Sequence, residues 1–157
     1  MDVAELLAKY EIHELLMRCL GAFDREDWDI VRESFHPGAQ HDHGTWKGSI
    51  DELIEREKVT YQGFSGNFHF SGNEQIWLDG DSARSEMYSV CWHRTRGDAK
   101  RSPEDLVAGM RYLDQHERRD GVWRIADRVV VIDWYRSDPV TSPDWPRVLG
   151  SHAGGSR

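Results

Sequence analysis

The sequence predicts an α+β domain: a cone-shaped barrel in which a curved, mixed but mostly antiparallel sheet wraps around N-terminal helices and leaves a pocket between them. Apolar residues recur at helical spacing in the N-terminal part, and long alternating runs joined at two Asp-Gly turns follow. The 157 residues suffice for one domain with a substantial core. We expect the domain to span residues 1–136 and an irregular tail, rich in Pro, Gly and Ser, to span residues 137–157.

Helices are predicted before the sheet. Apolar side chains recur at helical spacing from Val3 to Phe23 and again from Asp27 to Phe35. A third helix should run from Ile50 to Tyr61, because Ser49 is followed three residues later by Glu52, which is the pattern of a capping box.

The rest of the domain is predicted to be strands. The short segment AQHDHG alternates, and the turn TWKGS closes it. Two strand-like runs meet at Asp79-Gly80-Asp81, and DLVAGMRYLDQHERR meets VWRIADRVVVIDWYR at Asp120-Gly121. Asp-Gly between alternating runs is typical of a tight β-hairpin, so two hairpins are predicted, separated by the polar loop RGDAKRSPED.

Composition narrows the function classes. A formal net charge of −8 argues against a general nucleic-acid binder, because phosphate binding needs clustered Lys and Arg. No apolar run approaches membrane-spanning length, and the N-terminus is an amphipathic acidic helix pattern rather than a secretion signal. The two cysteines, Cys19 and Cys91, lie far apart in apolar surroundings and suggest no disulfide framework, so a reducing cytoplasm is the expected setting.

Asp24 stands out among the three aspartates of the segment AFDREDWD. It follows Leu20 by four residues and Leu16 by eight, so one more helical turn carries its carboxylate along the stripe that should face the core. Asp27 and Asp29 instead flank the start of the next helix, where the helix dipole favours acids.

The sequence resembles one known family in the order of its elements, in AFDREDWD at the end of the first helix, in the GTWKG turn, in the histidine of NFHFSGN, and above all in RYLDQHERRDGVWRIADRVVVIDWYR. This family is the SnoaL-like branch of the nuclear transport factor two-like superfamily. The resemblance covers roughly Ala4 to Arg136. This branch includes scytalone dehydratase, a bile acid dehydratase and lindane dehydrochlorinase, which are cofactor-free lyases with a His and Asp pair in a conical pocket. The resemblance therefore implies a lyase that needs neither a metal nor an organic cofactor.

The same resemblance implies roles for particular residues. It puts Asp24 and His69 in the places of the catalytic pair, and Arg128 in the place of a pocket arginine found in some relatives. One position departs from the pattern: Cys19 stands five residues before the aspartate, where those enzymes often have a Lys or Tyr that assists the leaving group or the substrate. A thiol in an apolar stripe is a poor proton donor, so the leaving-group chemistry cannot be carried over unchanged.

The chemistry of the pair leads to the same residues. An imidazole can remove a proton if a neighbouring carboxylate fixes its tautomer and stabilises its charged form. We therefore expect His69 to be the base and Asp24 to orient it. Strand alternation puts His69 on the side opposite Phe68 and Phe70, facing either solvent or a cavity.

Further pocket residues are expected on the strands. Arg128 shares a strand face with apolar residues, so it should bind an anionic group of the substrate or pair with a structural acid such as Asp24. A match to the relatives puts Met87, Ser89, Cys91 and Tyr112 inside. Tyr112 could donate a hydrogen bond to the substrate or could simply be a core residue.

The triplet His41-Asp42-His43 invites a metal interpretation, because two imidazoles two residues apart share a strand face. No second cluster at ligand spacing accompanies them, so we expect no metal and assign His41 and His43 to substrate binding in the pocket.

Two function classes follow. The first is a dehydratase-like lyase that acts on a small hydrophobic substrate, for example an aromatic, polyketide-like or steroid-like molecule. An isomerase or a carbon-carbon lyase that uses the same pair is the alternative. The second is a non-catalytic module that binds a small ligand, since fold does not fix function. The resemblance also implies a homodimer or homotrimer that packs through the Trp-rich outer face of the sheet.

Overall fold

The computed structural model describes residues 2–141. Within them the helices are α1 (Val3–Arg25), α2 (Trp28–Glu33) and α3 (Ile50–Gln62). The predicted capping box of α3 is present, with Ser49 and Glu52 each accepting from the other's backbone N–H. Helix α1 continues two residues beyond Phe23 and ends where Glu26 adopts the left-handed conformation, with φ of 58°.

Six strands form one sheet in the order β2-β1-β6-β5-β4-β3. Their ranges are β1 (Phe35–Asp42), β2 (Lys47–Ser49), β3 (Phe64–Asp79), β4 (Ser82–Thr95), β5 (Glu104–Arg119) and β6 (Val122–Pro139). Strands β1 and β6 are parallel and all other neighbours are antiparallel, which confirms the mixed, mostly antiparallel sheet. Because β2 and β3 are the two edges, the sheet is curled rather than closed.

Both predicted hairpins are present. In the second, Asp120 and Gly121 have φ of 53° and 78°, the positive values that a two-residue hairpin turn of this kind requires and that Gly adopts without strain. Several element boundaries differ from the sequence-based expectation. Helix α2 ends at Glu33, and Phe35, expected in that helix, begins β1. Strand β5 begins at Glu104, inside the expected loop. Residues Lys47–Ser49, expected as a turn, pair with β1 as the short strand β2. Strand β6 passes the expected tail boundary and ends at Pro139, opposite Glu104 at the start of β5. Most of the expected tail, residues 142–157, lies outside the described residues.

The core lies between α1 and the inner face of the sheet. Ile12, Leu16 and Cys19 of α1 have no exposed surface, and Met87 and Ile125 of the sheet are equally buried. These residues follow the predicted apolar stripe of α1 and the predicted alternation of the strands. The packing holds the C-terminal end of α1, which carries Asp24, against β3.

The outer face of the sheet carries exposed apolar side chains. Phe68 and Phe70 of β3 are 53% and 68% exposed, and Trp134 of β6 is 50% exposed. Arg111 lies on the same face and bridges Glu86 and Asp133. Among residues 2–141, no helix has both the length and the apolar character needed to span a bilayer.

Candidate active site

A pocket with a volume of about 510 Å³ lies between α1, α3 and the concave face of the sheet. Most of its lining is apolar or aromatic, with a few polar groups among them. The lining residues are Phe23, His41, His43, Thr45, Trp46, Leu53, Arg56, Glu57, Thr60, Tyr61, Phe64, His69, His93, Leu106, Val107, Ala108, Met110, Tyr112, Arg128, Val130, Ile132, Tyr135 and Arg136. This composition is typical of a small-molecule site.

His69 and Asp24 form a hydrogen-bonded pair at this pocket. The His69 Nδ1 donates to Asp24 Oδ1 over 2.6 Å, and the His69 backbone N–H donates to Asp24 Oδ2 over 3.0 Å. Both carboxylate oxygens therefore hold the same residue, which fixes the orientation of the ring and leaves its Nε2 unused by Asp24. The His69 side chain is 8% exposed and lines the pocket, whereas Phe68 and Phe70 on either side face outward.

The pair also controls the charge of the imidazole. Burial alone would lower the pKa of His69, but the hydrogen bond to Asp24, with a smaller contribution from Cys91, outweighs burial and raises the pKa to about 9. At neutral pH the ring is therefore mostly protonated. A neutral His69 in this setting is a strong base, because the carboxylate stabilises the proton that it accepts.

Arg128 has a different partner from the one suggested by the sequence. Its Nε and one terminal nitrogen each donate to Asp114 over 2.7 Å, so the pair is bidentate, and it is buried, with side-chain exposures of 1% and 0%. The guanidinium also lies 4.7 Å from the centre of the Tyr112 ring. Arg128 borders the pocket, yet its main acidic partner is Asp114 and not Asp24.

The other histidines of the pocket are neutral. Burial, aided by the charges of Arg128 and His43, lowers the pKa of His41 to about 3. His41 stacks on His43 with ring centres 5.8 Å apart, and its Nδ1 has no hydrogen-bond partner among the described residues. Burial and the charge of His69 lower the pKa of His93 to about 4, and its Nδ1 lies 2.9 Å from the side-chain oxygen of Asn67.

The predicted HxH pair therefore lies in the pocket. Within residues 2–141, no three His, Cys, Asp or Glu side chains are grouped closely enough to hold a metal ion. A neutral His41 and a neutral His43 can each donate or accept one hydrogen bond from a ligand.

Four of the expected substrate-binding residues do not reach the pocket surface. Cys19, Met87, Ser89 and Cys91 lie on the inward-facing side as expected, but they are at most 4% exposed and are absent from the lining. Cys19 lies on the α1 stripe and its Sγ is 4.0 Å from a terminal nitrogen of Arg128. Their side chains pack in the core beneath the pocket and do not border the space that a ligand would occupy. Tyr112 is 6% exposed and does border the pocket.

Helix α3 supplies lining residues that sequence reasoning missed. Leu53, Glu57, Thr60 and Tyr61 lie on one helical face by their spacing of three and four residues, and all four line the pocket. Trp46, from the turn before β2, lies at the same side and is covered by Arg56, whose guanidinium carbon is 5.8 Å from the ring centre. The helical spacing was visible in the sequence, but the direction of this face depends on how α3 docks on the sheet.

A curled sheet, a helix-covered apolar pocket and a partly buried carboxylate–imidazole pair define a class of small α+β pocket proteins. The chain belongs to the SnoaL-like domain family, whose family model matches residues 4–129. The family resemblance and the fold class expected from the sequence are thereby confirmed.

Relatives agree with this assignment. The chain is 31% identical to the uncharacterized protein Rv2910c of Mycobacterium tuberculosis over 135 residues, which cover 82% of this chain and 88% of the relative. Among solved structures, a type 2 hexachlorocyclohexane dehydrochlorinase (LinA) superposes with a TM-score of 0.81 at 14% identity, over 95% of this chain and 100% of that chain. A putative scytalone dehydratase from Novosphingobium aromaticivorans superposes with a TM-score of 0.75 at 15% identity, over 92% and 100%. At such identities these two structures show a shared fold.

Proposed function

We propose that this protein is a cofactor-independent, dehydratase-like lyase that eliminates water or another group from a small hydrophobic substrate. The observation that carries the proposal is the His69 ring at the wall of a largely apolar pocket, where one oxygen of Asp24 accepts from its Nδ1 and the other accepts from the His69 backbone N–H. Two of the structures that share the fold are named as a dehydrochlorinase and a putative dehydratase, and both names denote elimination reactions.

In this proposal His69 Nε2 takes a proton from a carbon next to an electron-withdrawing group. The Nδ1–H remains on Asp24, which stabilises the imidazolium that forms. A well-placed general base contributes about 10²- to 10⁴-fold in rate. Because the pKa of His69 is raised to about 9, only a small fraction of the ligand-free protein carries the free base at neutral pH.

A panel of neutral aromatic probes tests the proposal and separates its alternatives. A β-hydroxyketone reports elimination of water, a β,γ-unsaturated ketone reports isomerisation, and an aldol adduct reports carbon-carbon cleavage. We expect the wild-type protein to convert the β-hydroxyketone and Asp24→Asn to be far slower. Conversion of only one of the other two probes would assign the pair to that reaction. Binding of all the probes without conversion would indicate a ligand-binding module.

A titration of His69 by NMR in the wild type and in Asp24→Asn checks the pair itself. Neutralising Asp24 should lower the pKa of His69 from about 9, since the hydrogen-bonded carboxylate raises it. Probe-dependent shifts of the His69 signals would locate the ligand beside the ring. An unchanged titration would mean that the pair does not exist in solution.

We also propose that the protein assembles as a homodimer or homotrimer through the outer sheet face that carries Phe68, Phe70 and Trp134. These side chains are about half exposed or more in the single chain, and a contact between copies would remove them from water. Light scattering should give a multiple of the 18.2 kDa chain mass, and Phe70→Glu should shift the assembly towards the single chain. A monomeric wild type would contradict this assignment.

A further inference from the structure

Glu57 is a pocket carboxylate for which the elimination described above has no role. It lies on α3, four residues after Leu53 and four before Tyr61, and all three border the pocket. Leu53 and Tyr61 are 2% and 5% exposed, so the helical face that presents Glu57 is turned inward. Acidic residues on an inward face are rare because their charge loses its hydration.

The Glu57 carboxylate makes no contact within the described part of the chain that would stabilise the fold. Among residues 2–141 it has no hydrogen bond and no ion pair, whereas Glu55, two residues earlier on α3, is 68% exposed and binds Lys58 over 2.7 Å. Asp24, by contrast, uses both oxygens to hold His69. Glu57 is half-buried, and an unpaired carboxylate beside an apolar pocket costs stability, so a role in the chemistry of the pocket accounts for it better than a structural role.

Glu57 and His69 line the same pocket, and the charge of His69 acts on the pKa of Glu57. Burial raises the pKa of Glu57, and this effect exceeds the opposing effects of the Arg56 and His69 charges. Arg56 precedes Glu57 in sequence, but its guanidinium stacks over Trp46. The charge of Glu57 also contributes to the raised pKa of Tyr61 on the same helix. The pocket therefore contains a strong base and a carboxyl group whose pKa is raised by burial.

We propose that Glu57 is the catalytic acid that protonates the leaving group, supplying the role for which the chain has no Lys or Tyr at the position of Cys19. The inference rests on the proposed lyase function and adds its second half. Cys19 cannot take this role, because it is fully buried, lies outside the pocket lining and has a pKa raised by burial.

The step balances with the groups present. His69 Nε2 takes the proton from carbon, and the electron pair of that C–H bond becomes the second bond of the new C=C. The bond from the neighbouring carbon to the leaving oxygen breaks with its pair on oxygen, which takes the proton of Glu57. The products are the alkene and water, together with a His69 imidazolium and a Glu57 carboxylate. Return of one proton from His69 to Glu57 through water restores the enzyme.

Substrate binding itself favours the reactive protonation state. In the open pocket, water solvates the charged forms of His69 and Glu57. An apolar substrate displaces that water, and separated charges then become less favourable than the neutral pair. The proton should therefore pass from His69 to Glu57 on binding, which produces the base and the acid together.

The protonation state is the first test, with benzylideneacetone, a neutral aromatic enone, as the probe. At neutral pH the enone should convert the His69 NMR signals of the wild type towards the neutral ring, because Glu57 receives the proton. In Glu57→Gln no acceptor is present, so the ring should remain charged when the enone is added. The control Glu55→Gln should respond as the wild type does. The same response in wild type and Glu57→Gln, or a wild-type ring that stays charged, would overturn the proposal.

Leaving-group dependence is the second test. A β-hydroxyketone needs a proton on its leaving oxygen, whereas a β-(nitrophenoxy)ketone loses a stabilised anion. Glu57→Gln should lose about 10²-fold more rate on the first probe than on the second, in keeping with the usual worth of a general acid. His69→Gln should lose rate on both probes, and Glu55→Gln on neither.

The outcomes separate the two proposals. Equal losses on both probes in Glu57→Gln, with His69→Gln still inactive, would remove Glu57 from the reaction and leave the lyase intact. Wild-type rates in His69→Gln, or no conversion of either probe by the wild type, would overturn the lyase itself.

Discussion

Two acid–base pairs each contribute one side chain to the wall of the same pocket, and they differ in whether the basic member can release its proton. Asp114 and Arg128 are joined by two hydrogen bonds of 2.7 Å and are almost wholly buried. Asp24 and His69 are joined by one side-chain hydrogen bond of 2.6 Å, and Asp24 is 21% exposed. A guanidinium keeps its proton at every ordinary pH, whereas an imidazole can release and accept one. The first pair is therefore suited to hold the fold and the second to move a proton.

The largest expected effect lies in turnover and distinguishes the pairs directly. His69→Gln should reduce turnover of the β-hydroxyketone by about 10²- to 10⁴-fold, because the base is lost. Asp24→Asn should reduce it less, and the double variant should be no slower than His69→Gln, since Asp24 acts through His69. Steady-state kinetics of the three variants measures this. If the fold reduction in turnover of the double variant equals the product of the two single reductions, Asp24 acts independently of His69.

The second effect is on stability and concerns the other pair. Arg128→Met leaves the Asp114 carboxylate buried without its cation, so the free energy of unfolding should fall by about 3–5 kcal/mol. Adding Asp114→Leu should restore much of that loss, because an apolar pair needs no compensation. Urea unfolding followed by tryptophan fluorescence gives both values, with Asp24→Asn as the matched control, which should lose only about 1 kcal/mol. An equal loss of unfolding free energy in Arg128→Met and Asp24→Asn would contradict the distinction between a structural pair and a proton-transferring pair.

The third effect is the dependence of stability on pH. The pKa of His69 rises from 6.5 to about 9 on folding, so its contribution is fully present below pH 6.5 and is lost as pH rises through 9. The difference in the free energy of unfolding between the wild type and His69→Gln should therefore shrink by roughly 1–3 kcal/mol as pH rises across this window. Arg128 does not titrate there, so Arg128→Met should keep the wild-type slope.

Acid should have the opposite effect through the neutral histidines. Burial lowers the folded-state pKa of His41 to about 3 and of His93 and His116 to about 4. Their contribution to the free energy of unfolding is present above pH 6.5 and is lost as pH falls below it. The reason is that these histidines bind protons in the unfolded chain at a pH at which they stay neutral in the folded chain. The same urea series extended to acid should show this decline in both the wild type and His69→Gln. A flat acid limb would mean that these rings are protonated without unfolding.

The comparison also shows where sequence reasoning succeeds. The position of Asp24 follows from the helical period of α1, and the alternation of β3 puts His69 on the face opposite Phe68 and Phe70. Both rules are local, so a sequence suffices for them. The family resemblance joined these two residues, and the structure places their side chains within hydrogen-bonding distance.

The partner of Arg128 could not be predicted in the same way. The Asp120-Gly121 turn pairs Arg119 with Val122, and an unbroken ladder from there would place Asp114 opposite Asp127. A bulge between Gln115 and His116 shifts the register by one residue and places Asp114 opposite Arg128 instead. No local pattern signals this bulge, and a slip of one residue exchanges the two faces of a strand. The direction of Glu57 was equally hidden, because it depends on how α3 docks.

The smallest expected effect concerns Cys19, which lies beside the structural pair. Its Sγ is 4.0 Å from Arg128 and it has no exposed surface, so Cys19→Ala should cost about 1–2 kcal/mol of unfolding free energy through lost packing. Turnover should change by less than about threefold, because a group outside the pocket lining touches no substrate. Kinetics beside urea unfolding tests both numbers. A large loss of turnover with unchanged stability would return Cys19 to the chemistry, and the acid assigned to Glu57 would then have a rival on α1.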